Sequence, residues 1–477
     1  ITLAFGITLI GVAIDYPVHV LSHIRKGERP GLAVQAIWPT LRLGVLTTAL
    51  GFAAMAMTRF TGLAQLGIFA ISGLLAAALA TRTLLPAFPL DTAEYKEPRL
   101  LRLAGKLESC RPALWLKLIV LAGVLILLVS AFRTPQFWSE DVAELSPIPQ
   151  TLREQDQQLR NKLGSVEPRY LVTVAGISEE AILQKEEQLE PALHAAIEAG
   201  LIEGASWAAQ ILSSTRLQKA RQAMLPEAQS LSQNLNEALL ELPFRHETFE
   251  QFLRDVEDTR QLTALGPEAL QNTTLGLRLD SLFLGTEQRL GLVQLIGMQD
   301  PVGFLSHIKN SGIDGLEFID LKAETNHLVN DFRDEAMTRI AWASLLILII
   351  LILGLRSGWR LFAVVLPIVL AVGVSASIPL LLGERLNLFH LVSMLLVAGI
   401  GLDYGLFFSR REQGEESTRT FHALIVCVVS TLTVFAMLAA SSIPVLHAIG
   451  ITVTSGVAAT FLLAWLFSRH VSKTGAW

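Results

Sequence analysis

The chain has 477 residues, of which 51% are hydrophobic and only 17% charged, whereas soluble domains carry about 25% charged residues. Its net charge of −5 hides an uneven distribution: residues 134–335 hold 32 acidic against 16 basic side chains, and the rest hold 11 against 22. An acidic, water-facing block inside a hydrophobic, basic remainder excludes a nucleic-acid binder, a disulfide scaffold and a wholly soluble enzyme, and leaves a polytopic α-helical membrane protein with one large hydrophilic insertion.

In chain order, apolar runs near the roughly 20 residues that a spanning helix needs occupy 2–24, 37–58, 62–88, 113–133, 337–355, 359–383, 388–409, 418–441 and 443–468. Basic residues in the short connections set their direction. One side holds Arg25, Lys26 and Arg29; Arg82, Lys96, Arg99, Arg102, Lys106 and Arg111; Arg356 and Arg360; Arg410, Arg411 and Arg419; and Arg469 and Lys473. The other holds Arg59 and Arg385. All the rich segments fall on one side when every run is a span, so that side is cytoplasmic and the acidic block is external. The resulting division is three spans in 1–90, a basic amphipathic cytoplasmic linker at 91–112, a span at 113–133, an external domain at 134–336, five spans in 337–470 and a cytoplasmic tail at 471–477. Cys110 falls in the linker and Cys427 inside a span, so the external domain needs no disulfide. No metal-ligand spacing is present.

The membrane part repeats. Gly11-Val-Ala-Ile-Asp15-Tyr16 returns as Gly399-Ile-Gly-Leu-Asp403-Tyr404, at an offset of 388. Thr47-Thr48 then matches Ser430-Thr431, Gly67-Ile68 matches Gly450-Ile451, and Ser72-Gly73 matches Ser455-Gly456, at an offset of 383. Three spans in the same orientation therefore occur twice, as in transporters built from parallel repeats. The second copy is preceded by a span, the external block and two spans that the first copy lacks. A complete repeat would place roughly 270 further residues, with three spans and a second external block, before Ile1. Within the external block, 169–174, 179–199 and 200–208 read as strand, helix and strand, and 291–296, 301–309 and 315–321 as a second such unit. Two βαβ-like units suggest a ferredoxin-like α+β domain, with a polar helical stretch over about 210–290 between them.

Of the acidic residues outside the external block, only Asp15 and Asp403 lie inside spans. A carboxylate at a helix centre costs about 2.5–3.5 kcal/mol on insertion scales, and this sequence keeps one at the same place in both repeats. Each sits about 10–15 Å above the cytoplasmic face at 1.5 Å per residue, where desolvation penalises the charged form and favours proton exchange near neutrality. Tyr16 and Tyr404 supply a hydroxyl beside each carboxylate, and the repeat symmetry lets each Asp face the other copy's Tyr. Gly11 and Gly399, one turn earlier, allow close approach of the two helices. His19, Thr47, Thr48, Ser430 and Thr431 are accessory candidates at neighbouring depths. A plainer reading makes the carboxylates hydrogen-bonding glue between helices, His19 a packed ring and the hydroxyls ordinary interhelical contacts.

These two Gly-x-x-x-Asp-Tyr spans in register resemble the RND superfamily, in its MMPL-type branch of lipid and hydrophobe exporters. Within that branch the chain is most similar to the bacterial predicted exporters associated with aryl polyene, xanthomonadin and lipid pathways. The resemblance implies two pseudo-symmetric transmembrane repeats with a periplasmic porter domain, and makes Asp15, Tyr16, Asp403 and Tyr404 the proton relay. It implies an inner-membrane exporter driven by the proton-motive force, with protons as coupling ion and no cofactor. Its substrate would be a lipid or other amphiphile, its setting membrane lipid, and it admits a periplasmic carrier protein and a homo-oligomer as partners. The multidrug branch carries a double Asp in the helix where Ala13-Ile14-Asp15 has one, and a Lys in the helix matching the 388–409 span, which lacks it. The alternatives from other classes are a non-pumping receptor or scaffold like the sterol-sensing relatives of this fold, and a protein-translocation motor.

Overall fold

The computed structural model describes residues 11–25, 28–88, 113–131, 148–163, 169–240, 246–285, 289–409 and 415–467, with isolated positions between them. Residues 1–10 of the first expected span, Cys110 and most of the 91–112 linker, and the tail from 468 lie outside the described residues. The chain forms two compact units, one from residues 1–147 and 326–477 and the other from Ile148–Thr325.

In chain order the first unit begins with helices α1 (Asp15–His23), α2 (Pro30–Ala56), α3 (Thr61–Ala87) and α4 (Leu114–Ala131). The second unit holds α5 (Gln150–Leu163), β1 (Tyr170–Ala175), α6 (Glu179–Glu198) and β2 (Gly204–Ser206). A run of short helices follows: α7 (Ala208–Ile211), α8 (Thr215–Ala223), α9 (Ala228–Leu239), α10 (Glu250–Gln261) and α11 (Thr274–Asp280). β3 (Phe283–Leu284), β4 (Leu290–Ile296), α12 (Pro301–Lys309) and β5 (Leu316–Asp320) complete the sheet. The chain then returns to the first unit through α13 (Leu321–Leu355), α14 (Gly358–Leu381), α15 (Leu388–Phe408), α16 (Glu415–Ala439) and α17 (Pro444–Phe467).

Among the described residues eight helices are long and apolar enough to cross a membrane: α2, α3, α4 and α13 to α17. They correspond to eight of the nine expected spans, with ends shifted by at most seven residues except at the start of α13. The run expected at 337–355 is the distal part of the 35-residue α13, which continues directly from β5. In the remaining run, helical hydrogen bonding is interrupted at Ile14, because Pro17 has no N–H to give the Ala13 carbonyl.

The repeats pack by exchange. α1 of the first copy lies against α16 of the second, and α15 of the second copy lies against α2 of the first. Within the copies α2 packs on α3, α16 on α17, and α15 on α17. A continuous apolar core runs through this arrangement, from Val12, Val20 and Ile37 to Leu396, Ile400 and Val457.

In the second unit all strand pairs are antiparallel, in the order β2-β4-β1-β5, with β3 pairing β4 beside them. The helices that cross between the strands, α6 and α12, start where the sequence supplies a cap. Ser178 accepts the Ala181 N–H (3.2 Å) ahead of Glu179 and Glu180, and Asp300 accepts from Val302 and Gly303 ahead of Pro301. Alternate residues of β4, Gly291, Val293 and Leu295, face inward, and the last two join Val172, Val174, Leu189, Leu193 and Phe304 in the core.

One face of α6 is an acidic clamp on the segment 208–216. Glu186 accepts from the Ala209 N–H (2.9 Å), Glu187 from the Ser214 N–H and hydroxyl, and Glu180 from the Thr215 and Arg216 N–H groups. Glu186 is fully buried, its second oxygen has no partner, and the side chain lies over Gly291. Burial pushes its carboxyl up to about 7, against the pull of the Ala209 and Ala208 N–H donors. A carboxyl raised on folding contributes stability that is complete below about pH 4.5 and lost as pH rises through 7. Hydrogen exchange of the full chain should therefore show protection of the Ala208–Arg216 amides, corrected for intrinsic rates, falling across that window by on the order of 3 kcal/mol. Glu186→Gln should flatten this dependence, and an unchanged dependence in that variant would refute the assignment to Glu186.

Candidate functional site

Asp15 and Tyr16 open α1, and Asp403 and Tyr404 lie in the last turns of α15. Asp15 is 7% exposed, Tyr16 and Tyr404 are fully buried, and Asp403 is half-buried. The structure brings the four together. Both tyrosines lie in the field of both carboxylates, and the two carboxylates act on each other. One Asp15 carboxylate oxygen and both tyrosine hydroxyls have no hydrogen-bond partner among the described residues. Neither carboxylate has an ion-pair partner there, so the cluster holds acids without a compensating cation.

The two copies meet at His19 and Phe407. These residues occupy the same place in the repeat, and their rings stack at 3.8 Å between centroids, 4° from parallel. The pseudo-twofold axis thus passes between them, one turn from the Asp pair toward the C-terminal ends of α1 and α15. His19 is packed on its own repeat equivalent, as the plainer reading of the sequence has it.

The glycines expected to bring the Asp-Tyr helices against each other do something different. A side chain at Gly11 would meet Val434 of α16, and one at Gly399 would meet the Thr48 methyl at 3.0 Å. Each glycine accommodates the second helix of the other repeat, because the Asp-Tyr helices touch through larger rings at His19 and Phe407.

The walls facing the carboxylates come from two residues that the sequence reading does not single out. The Asp403 carboxylate lies directly on the backbone of Gly44 in α2, where any Cβ would overlap it. At the matching place in the other half stands Cys427 of α16, whose thiol lies 3.9 Å from the Asp15 carbonyl. Positions 44 and 427 differ by the repeat offset of 383. Extending the repeat alignment one turn back from Thr48 and Thr431 would have found them.

The accessory hydroxyls divide. Thr47 donates to the Leu43 and Gly44 carbonyls of its own helix (3.0 and 2.9 Å), and Thr48 reaches the Gly399 carbonyl at 3.5 Å. Thr431 is fully buried and lies beside Tyr404. Ser430 is half-buried and is not brought into the cluster by any described contact.

A second polar seam joins the end of α1 to the start of α16. Arg419, only 3% exposed, donates to the Ile24 and Ser22 carbonyls (3.1 and 3.4 Å), placing a cation at the C-terminal end of α1. The His23 ring meets the Thr420 hydroxyl at 3.0 Å, Ser22 meets His422 at 3.4 Å, and Arg25 pairs with Glu416 at 3.2 Å. The sequence reading of Arg419 as an outlying loop charge misses its contact with α1, since the two positions lie almost 400 residues apart.

Beside the Thr48–Gly399 contact lies an apolar cavity of about 340 Å³ between α2, α13, α14 and α15, with Leu351, Ile368, Leu395 and Leu402 in its wall.

No curated protein matches the chain. The signature of the MMPL family matches residues 1–123 and 322–467, so that each matched stretch carries one Asp-Tyr pair and the block between them is left out. With more than half of the sequence matched and eight helices able to span a bilayer, the chain belongs to the MMPL family and is a multi-pass membrane protein.

Proposed function

We propose that the protein is an exporter of lipids or other amphiphiles driven by the proton-motive force. The observation that carries this reading is the single buried cluster of Asp15, Tyr16, Asp403 and Tyr404, shared between two repeats and lacking a cation. Burying two carboxylates in an apolar helix core is costly unless something neutralises them. A proton does so reversibly, and its binding removes charge at the seam where the halves meet. Tyr16 and Tyr404 can donate to an ionised carboxylate and release it when it is protonated. Loading therefore changes how strongly α1 and α15 hold their exchanged partners α16 and α2, the kind of bistable contact that lets two halves rock. One charge moving through 100 mV supplies about 2.3 kcal/mol.

Directionality rests on the basic residues of the short connections, which place the Ile148–Thr325 unit on the periplasmic side of an inner membrane. Its antiparallel sheet, with two βαβ halves in the order β2-β4-β1-β5, supports reading it as a ferredoxin-like porter domain. The apolar cavity beside Thr48 and Gly399 supports a hydrophobic cargo, because an apolar chain can fit beside the wall that holds Asp403.

Asp15→Asn and Asp403→Asn should each lower export of hydrophobic metabolites, measured in cells with and without a protonophore, by at least about tenfold, as expected for loss of an intramembrane ionisable group. Undiminished export in both variants would overturn the relay and favour a non-pumping receptor. Gly44→Ala should mimic Asp403→Asn, because its methyl overlaps the carboxylate, while Gly51→Ala, whose methyl would meet Leu395 at an ordinary 3.4 Å, should retain export. Equal activity of the two glycine variants, with matched amounts in the membrane, would show that Gly44 does not position Asp403.

A further inference from the structure

We propose a proton-binding site formed by Glu384 and His447, with His390 behind them, at the end of the spans that the charge asymmetry assigns to the exterior. It rests on the proton-coupled reading above and extends it to where protons are collected.

Three separate devices build the site. Gly383, at φ +86°, ends α14, and the Glu384 N–H closes back on the Pro379 carbonyl at 3.0 Å, which fixes Glu384 just past the helix. Asn387 caps α15, and its own N–H donates to His390 Nδ1 at 3.1 Å. His447 of α17 is anchored through Nδ1 to the Ala439 carbonyl at the end of α16, at 2.5 Å. The loop between α14 and α15 is also held as a strand: the Leu386 N–H donates to the Phe137 carbonyl and the Ser139 N–H to the Leu386 carbonyl, both at 2.7 Å.

These bonds decide the protonation of the site. A carbonyl only accepts, so His447 Nδ1 carries hydrogen. His447 Nε2 lies 2.8 Å from Glu384 Oε1. A hydrogen bond there requires one further proton, either on Nε2 facing a carboxylate or on the carboxyl facing a bare Nε2. The dyad thus holds one proton that neither a bare carboxylate nor a neutral, Nδ1-protonated imidazole would have. His390 accepts at Nδ1, so its Nε2 carries hydrogen, and that atom is buried and faces the other Glu384 oxygen at 3.9 Å. Glu384 and His447 are 35% and 34% exposed at their side chains, whereas His390 is 2% exposed, so solvent reaches the first two and the third faces the interior. Charged side chains on the neighbouring segments include Arg385 in the loop, Arg133 just after α4, Asp141, and Arg333, Asp334, Glu335 and Arg339 on α13, with Arg333 stacked over Trp138.

His390 lies on the helix that carries Asp403, 13 residues outward from it, or about 20 Å. The first repeat has Ala64 where the second has His447, so the collecting site belongs to the second half.

The full-length protein in liposomes tests this, with proton uptake followed after an external pH drop. His447→Gln and the double variant should each bind one proton fewer than wild type, because the pair shares a single proton, whereas Glu384→Gln, which keeps an imidazole able to take a proton at Nε2, should bind its proton only at a lower external pH. The initial uptake rate should fall about tenfold in each, while Asp15→Asn and Asp403→Asn should keep the dyad proton and lose only relay protons. Unchanged uptake in the Glu384 and His447 variants, or additive loss of two protons in the double variant, would overturn the proposal. Unchanged uptake in the two Asp variants, with the dyad effects intact, would instead overturn the relay. Should the variants fail to fold, the wild-type histidine nitrogen and carboxyl vibrational spectra read the same proton; a His447 Nε2 and a Glu384 carboxyl that gain their protons independently of each other refute the site.

Discussion

Two carboxylates must be accommodated inside apolar helices without a cation, and much of the membrane unit is arranged around that constraint. Water normally stabilises such charges, and the hydrocarbon region offers none. The protein meets the constraint by placing both acids in one cluster with two tyrosine hydroxyls. It then seals the cluster with the second helix of the opposite repeat. Asp403 rests on bare backbone at Gly44, and Asp15 has the Cys427 thiol beside its own carbonyl. The two halves are therefore similar in plan and unequal in detail.

That inequality has physical content. Gly44 allows the backbone of α2 to touch a carboxylate, which no side chain at that position would permit, while Cys427 puts a polarisable, weakly polar group at the same place. Pro17 breaks the helical run just before α1, at Ile14, whereas α15 has Gly405 at the matching place and continues unbroken. The dyad of Glu384 and His447 occurs in the second half alone.

The exchange of helices gives loading a mechanical consequence. Because α1 grips α16 and α15 grips α2, a change of charge at the cluster acts on contacts between the repeats. The His19–Phe407 stack marks the axis about which such a movement would turn, and Arg419, bonded to the Ile24 and Ser22 carbonyls, ties the far end of α1 to the other copy.

Much of this was legible in the sequence. Hydropathy located eight helices within a few residues, since burying some 20 peptide groups in lipid leaves an apolar run that needs no tertiary context. The repeat offset and the lone pair of acidic residues inside spans singled out Asp15, Tyr16, Asp403 and Tyr404. Strand and helix patterns located β1, α6, β2, β4, α12 and β5 of the second unit, but missed β3, whose two residues are too short to show a period. Only the tertiary structure decided what faces what. Gly44, Cys427 and Arg419 act across separations of hundreds of residues, and a glycine's role as the floor beneath a carboxylate leaves no mark in periodicity. The roles of Gly11 and Gly399 were misassigned for the same reason: small residues announce close packing without naming the neighbour. Composition and pattern are set by each residue's own solvent, lipid or water, and so are written along the chain. Partners are set by where helices cross, which depends on all of them at once.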